Sequence, residues 1–394
     1  MKYAVVVPDG MADHPLEALG GRTPLEAATT PNLDRVAREG HLGLVCHTPK
    51  GLPPGSDVAM LSLLGYDPTA CYTGRAPLEA ASMGLALGPG EVAFRCNLVT
   101  VDDEVLADHS AGHISTEEAA VLIDLLNQKL GSETIRFHPG VGYRHLLVYA
   151  GSEPIDVRCT PPHDILDQPF TKRLPRGRGS EILVDLIQRS RQVLAETDVN
   201  DVRVDLGENP ANMIWLWGGG TRPQLPSFYE RFGKTGAVVA AVDLVRGIAV
   251  CLGLDVLDVP GATGYVQTNF EGKGQAACQA LDRYDLAFVH VEAPDEAGHQ
   301  GNIRAKVDAI EAVDRHIVGP LLAALERHGD YRLLVLPDHP TPIEVRTHVR
   351  EPVPFAYCGT GASPPSRRLF TEANAAETGL VVAPGHELMG RFLG

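Results

Sequence analysis

Asp285-Leu-Ala-Phe-Val-His-Val-Glu292 is a near-continuous apolar run that passes directly into Ala293-Pro294-Asp295-Glu296-Ala297-Gly298-His299. A run of this kind suits a strand covered on both faces of a parallel sheet. Downstream, Ile303, Val307, Ile310, Val313, Ile317 and Leu321 recur at helical spacing, which predicts a helix from Asn302 to about Leu325. A second apolar run, Tyr331-Arg-Leu-Leu-Val-Leu336, then ends in Pro337-Asp338-His339. Strand, helix, strand implies a right-handed parallel crossover. Tyr3-Ala-Val-Val-Val7, ending in Pro8-Asp9-Gly10, repeats the strand design at the start of the chain. The fold class is therefore α/β, with a mostly parallel sheet flanked by helices.

The middle of the chain is patterned differently. Phe94–Val101 and Tyr143–Tyr149 read as paired short strands, and Thr116–Leu130 and Glu181–Glu196 as helices. Ser115 with Glu118 is spaced as a capping box, and Ser180 stands as an N-cap. Arg173–Gly179, rich in Gly, Pro and Arg, reads as a loop. Residues 93–205 are accordingly expected to form a smaller α/β domain inserted into a discontinuous one made of 1–92 and 206–394. A chain of 394 residues exceeds one ordinary core, which agrees with two domains.

The formal net charge is −16, from 50 acidic and 34 basic residues. Such a surface repels nucleic acid and anionic membrane, and an anionic substrate would need locally gathered Arg and Lys. The first apolar run is broken at Pro8, far short of a signal core, and no run reaches membrane-spanning length. The seven cysteines form no CxxC pair, which argues against a disulfide framework or a thiolate zinc site. A cytoplasmic location is expected.

Three apolar strands each end in an aspartate: Asp9, Asp295 and Asp338. Ligands bind at the carboxyl ends of strands in open α/β sheets, so these residues can share one site. His299 follows Asp295 by four residues, His339 follows Asp338 directly, and His348 lies nine residues further on. Carboxylates mixed with imidazoles suit Mn²⁺ or Zn²⁺, whereas oxygen ligands alone suit Mg²⁺ or Ca²⁺. His14, His41, His47, His316 and His328 read as solvated. Ser56, in Pro53-Pro54-Gly55-Ser56-Asp57-Val58-Ala59, precedes the apolar run Met60–Leu64. It reads as a helix N-cap and, compatibly with that, as a nucleophile placed where a helix N-terminus favours phosphate.

Pro8-Asp9-Gly10, Pro54-Gly55-Ser56-Asp57, Ala293–His299, Pro337-Asp338-His339-Pro340 and Thr347-His348 resemble the motifs of cofactor-independent phosphoglycerate mutases. The resemblance is to the shorter, archaeal-type branch within the alkaline phosphatase superfamily. It extends to Tyr72–Ala80 and Val259–Tyr265 and so runs along essentially the whole chain. It implies an alkaline-phosphatase-like sheet and two divalent ions, Mn²⁺ favoured over Zn²⁺, Mg²⁺ or Co²⁺. One ion is expected on Asp295, His299 and His348, the other on Asp9, Ser56, Asp338 and His339. Ser56 would accept the phosphoryl group of 3-phosphoglycerate and return it to the other hydroxyl, without 2,3-bisphosphoglycerate.

A phosphorylated carboxylate calls for guanidinium clamps. Candidates for substrate contact are Arg95, Arg144, Arg222 and Lys273, with Arg246 matching a basic residue that stabilises the transferring phosphate. His113 matches a substrate-contacting histidine of the longer mutases. The Arg-Asp pair that performs acid–base work in those enzymes has no clear counterpart; Arg144-His145 stands near its place, and a near-neutral pKa would suit His145 as proton shuttle. Two alternatives share the chemistry: a homoserine kinase-like phosphotransferase and a metal-dependent phosphatase. No GxxxxGK[ST] loop supports a nucleotide site.

Overall fold

In the computed structural model, which describes all 394 residues, the N-terminal apolar run forms the strand Lys2–Pro8. Leu286–Val291 pairs with it on one side and Tyr331–Val335 on the other, both parallel. The sheet has eight strands, in the order Asp255–Leu257, Gly236–Val239, Leu286–Val291, Lys2–Pro8, Tyr331–Val335, Val353–Gly359, His41–Val45 and Val381–Val382. Only Val353–Gly359 runs against the rest. Register sets Pro8 opposite Val291 and Val6 opposite Val335, so three strands finish at one level. Their alternate side chains, among them Ala4, Val6, Val289 and Val335, are buried against helices through Ile310, Ile317, Leu321 and Leu325.

The expected helix over 302–325 is present but interrupted. Ile303–Val313 and Gly319–His328 are α-helical, and Asp314–Val318 between them is a π turn. Asn302 caps the start by accepting from the Ala305 N–H at 3.0 Å. The π turn lets Asp314 turn its carboxylate onto the Leu33 N–H (2.7 Å) and Asn32 (2.9 Å), at the start of the helix Pro31–Glu39.

The chain divides into two compact units, Met1–Tyr72 with Gln224–Gly394, and Thr73–Pro223. The second is therefore larger at both ends than residues 93–205. Its sheet is antiparallel, and Met213–Thr221 pairs along Val92–Asp102 from Val92 opposite Thr221 to Val99 opposite Met213. The helix Ala76–Ser82 seats Ala76 and Ala80 against Ala93, Leu146 and Val148. Pairing and packing thus claim segments whose sequence pattern alone gave them to the first domain.

Within the second unit the helix Thr116–Leu130 starts at the Ser115–Glu118 capping box. Ser180 is not an N-cap. Gly179 holds that position with φ +78°, a left-handed backbone that glycine takes without strain, and Ser180 is the first helical residue. The expected loop at Arg173–Gly179 contains the strand Arg176–Arg178, paired with Asp156–Arg158. All seven cysteines are free. No helix is long and apolar enough to cross a membrane.

Candidate active site

The helix Ala293–His299 begins just after the strand Leu286–Val291, with Pro294 in its first turn. Asp295 and His299 lie four apart on one face, and His299 Nε2 approaches Asp295 Oδ2 at 3.2 Å. His348 Nε2 stands 3.5 Å from Asp295 Oδ1 and 3.0 Å from His299 Nε2. The other ring nitrogens face carbonyls, His299 Nδ1 that of Arg346 (3.0 Å) and His348 Nδ1 that of Pro54 (3.3 Å). A nitrogen facing a carbonyl carries the proton, so both Nε2 lone pairs converge on the carboxylate. Without a cation a proton must take that place. The Asp295 carboxylate accordingly pushes the His299 pKa up to about 9.

A second set lies beside the first. Asp9 leaves the strand Lys2–Pro8, and Asp338 and His339 follow the strand Tyr331–Val335. His339 Nε2 is 3.3 Å from Asp338 Oδ2 and 3.6 Å from Asp9 Oδ1. All three residues are buried, and Asp9 Oδ1 and Asp338 Oδ2 have no aligned hydrogen-bond donor. Burial, then the charges of Asp338, Glu292 and Asp295, hold the Asp9 pKa well above the carboxylate range. Buried carboxylates so close cannot all ionise without a cation. Orphaned oxygens, repelling carboxylates and convergent imidazoles therefore fit divalent ions in both sets.

Ser56 opens the helix Ser56–Leu63 as its first helical residue, the N-cap being Gly55, and the Ser56 hydroxyl bonds to side chains of other elements. The plain N-cap reading therefore fails. Instead Ser56 Oγ lies 3.1 Å from His339 Nε2 and 3.4 Å from Asp9 Oδ2. Gly10, at φ +60°, makes this convergence possible. A Cβ there would sit 2.5 Å from Asp295 Oδ1 and 2.6 Å from Thr341 Oγ1.

Three further neighbours of these sets, His290, Glu292 and Thr341, lie outside the sequence expectations. His290 Nε2 lies 2.9 Å from Asp9 Oδ2, and Glu292 Oε2 lies 3.7 Å from the same nitrogen, so Asp9 is shared with a third group of possible ligands. The signal was there: His290 is the one polar residue of an otherwise apolar strand, and Glu292 follows on the same face. Thr341 is the third. His47, expected to be solvated, is 3% exposed, with Nδ1 3.3 Å from Ser62 Oγ; burial pushes its pKa down to about 4.

The expected substrate residues do not form one set. Lys273 is wholly buried in the first unit, donating to the His290 carbonyl at 3.1 Å, and burial lowers its pKa to about 8. It braces the strand beneath the carboxylates rather than facing solvent. Arg246 pairs with Asp258 at 2.8 Å. In the second unit Arg222 is exposed just past the strand Met213–Thr221. Arg95 is 6% exposed, paired with Glu79 at 2.8 Å, and stacks its guanidinium 4.2 Å above the Trp217 ring. Glu79 also binds Arg75 at 2.9 Å. Burial works against the Glu79 charge, but Arg95 and Arg75 hold its pKa below the usual value. Arg144 is exposed, over the Tyr143 ring at 5.4 Å, and His113 is exposed with φ +52°.

His145 does not suit proton transfer as expected. It is buried, its Nδ1 accepts the Gly140 N–H at 2.9 Å, and burial drives its pKa down to about 3 rather than leaving it near neutrality. Its place in the strand Arg144–Tyr149 turns the ring inward while Arg144 points out.

Among solved structures, a protein from Pyrococcus horikoshii is 32% identical with a TM-score of 0.83, over 100% of this chain and 96% of that one. A cofactor-independent phosphoglycerate mutase from Thermoplasma acidophilum is 29% identical with a TM-score of 0.67, over 100% and 99%. Fold and site together define an α/β enzyme that gathers candidate metal ligands at the carboxyl ends of its sheet strands. The sequence comparisons are narrower. The profile of 2,3-bisphosphoglycerate-independent phosphoglycerate mutase matches residues 37–200. Proteins of that name from Methanothrix thermoacetophila and Methanosarcina acetivorans are 52% and 51% identical, over 99% and 100% of this chain and 98% and 100% of their own lengths. The chain belongs to the 2,3-bisphosphoglycerate-independent phosphoglycerate mutase family.

Proposed function

We propose that the chain interconverts 3-phosphoglycerate and 2-phosphoglycerate through a phosphoserine at Ser56, in the cytoplasm, with two divalent ions. Asp295, His299 and His348 would hold one ion, and Asp9, Asp338, His339 and Ser56 the other, with Mn²⁺ the favoured metal. Bound ions supply electrostatic stabilisation to phosphoryl oxygens and lower the serine hydroxyl pKa. The observation that carries the proposal is Ser56 Oγ standing 3.1 Å from His339 Nε2 at a helix start, with no capping bond to hold it back.

The residues divide the work. Asp9 and His339 orient the Ser56 hydroxyl, and Asp9 is placed to accept its proton. Ser56 Oγ forms the bond to phosphorus as the bond from phosphorus to the glycerate oxygen breaks, and the released alkoxide takes the proton that the neighbouring glycerate hydroxyl gives up. That neighbouring oxygen then attacks the phosphoserine, and the bond from phosphorus to Ser56 Oγ breaks as Oγ takes its proton back from Asp9. Backbone N–H groups at the start of Ser56–Leu63 favour the transferred anion. Arg95 and Arg144 of the second unit, where Glu79 pairs with both Arg95 and Arg75, remain candidates for substrate contact. Arg246, Arg222, Lys273 and His113 remain proposals from the resemblance, and His145 gives up the shuttle role on its burial.

The test is turnover of 3-phosphoglycerate with Mn²⁺ and without bisphosphoglycerate, run beside homoserine with ATP. Mutase turnover abolished by a chelator is expected. Turnover only of homoserine, or only release of inorganic phosphate, would overturn the proposal.

A further inference from the structure

Thr341 lies between the two candidate ligand sets and is wholly buried. Its hydroxyl donates to Asp295 Oδ1 in a short hydrogen bond and stands 3.3 Å from His339 Nδ1. A hydroxyl has one proton, and an ionised carboxylate can only accept. The Thr341 proton is therefore committed to Asp295, and its oxygen is left to accept from His339. That places a proton on His339 Nδ1 and leaves the Nε2 lone pair facing Ser56 Oγ at 3.1 Å and the carboxylates of Asp9 and Asp338.

The placement of Thr341 is built, not incidental. Its carbonyl accepts from Lys306 Nζ at 2.9 Å, and its N–H donates to the Ala12 carbonyl at 3.3 Å. Lys306 is itself buried and ion-paired with Asp13 at 2.7 Å, and Asp13 accepts from the Ile343 N–H. Two glycines make room for the side chain. A Cβ on Gly10 would come within 2.6 Å of Thr341 Oγ1, and one on Gly298 within 2.4 Å of the Thr341 carbonyl and 2.9 Å of its methyl.

We propose that Thr341 is a positioning residue that fixes the His339 tautomer and ties it to Asp295, setting the two ligand sets as one unit. The proposal rests on the reading of this site as a two-ion centre. Metal-ligating imidazoles depend on the hydrogen bond made by the other ring nitrogen, and loss of that partner lowers affinity about 10- to 100-fold. Thr341→Val keeps shape and removes the hydroxyl, and Thr341→Ser keeps the hydroxyl.

The experiment has two readouts. Imidazole ¹⁵N shifts of the metal-free full chain report the His339 tautomer without any ion present. Nδ1–H is expected in the wild type and in Thr341→Ser, and its loss in Thr341→Val; Nε2–H in the wild type would overturn the proposal. Calorimetric titration with Mn²⁺ alone is the second. Two sites are expected in the wild type, and an affinity lower by about 10- to 100-fold at both in Thr341→Val, with Thr341→Ser close to wild type. Wild-type-like affinity in Thr341→Val would overturn the proposal while leaving the two-ion reading intact. No Mn²⁺ binding by the wild type would overturn that reading and the proposal with it.

Discussion

On the proposed mutase reading, Ser56 would carry the chemistry by what it lacks as much as by what it touches. A serine that capped its helix would spend its oxygen on a backbone N–H, whereas this one faces His339 and Asp9. Ser56→Ala should therefore cut mutase turnover at least about 10³-fold while Mn²⁺ still binds to the carboxylate and imidazole ligands. Parallel assay and titration check this, and retained turnover would exclude a phosphoserine route. A second residue makes a pH prediction away from the chemistry. Glu372 accepts from the Asp13 N–H (3.3 Å) and the Thr23 hydroxyl (2.8 Å), and burial raises its pKa from 4.5 to about 7 against those bonds. Its folded pKa exceeds its unfolded one, so its contribution is complete below pH 4.5 and is lost as pH rises through about 7. Glu372→Gln should flatten that part of the stability profile, read from urea midpoints; parallel profiles for the two proteins would refute it. At this scale the sequence was most legible where residues broke a strand pattern. Asp9, Asp295 and Asp338 end apolar runs and stand out as candidates, whereas His290 sits inside one and does not.

Elements were legible where the signal was local. The capping box at Ser115 and Glu118 sets the start of Thr116–Leu130, because the reciprocal hydrogen bonds lie within four residues. The π turn at Asp314–Val318 was not legible, because its cause lies 281 residues away in sequence at Leu33. The helix Pro31–Glu39 has no capping bond from Thr30, and Asp314 supplies one from another element. Asp314→Ala should then cost about 1–2 kcal/mol, as an N-cap deletion does. Denaturant unfolding measures it, and Mn²⁺ affinity should stay unchanged. A loss under about 0.3 kcal/mol would show that the cap contributes nothing beyond solvent hydrogen bonding.

For the whole molecule, an inserted domain was legible from the change in pattern near residue 93, but its edges were not. Met213–Thr221 is apolar enough to suit either unit, and only its long-range pairing with Val92–Asp102 assigns it. The division has a thermodynamic consequence. Every candidate metal ligand, from Asp9 to His348, belongs to the unit Met1–Tyr72 with Gln224–Gly394. An ion that binds the folded state and not the unfolded one stabilises it by about 2.7 kcal/mol at 100 times its Kd, equivalent to about 100-fold slower exchange of amides that open only on unfolding. Mn²⁺ should therefore slow hydrogen exchange in Lys2–Pro8, Leu286–Val291 and Tyr331–Val335 by up to that factor. Thr116–Leu130 and Met213–Thr221 in the other unit should change far less. Equal slowing in both would mean that the two units open in a single cooperative transition, and no slowing in the first would mean that its carboxylates and imidazoles hold no ion.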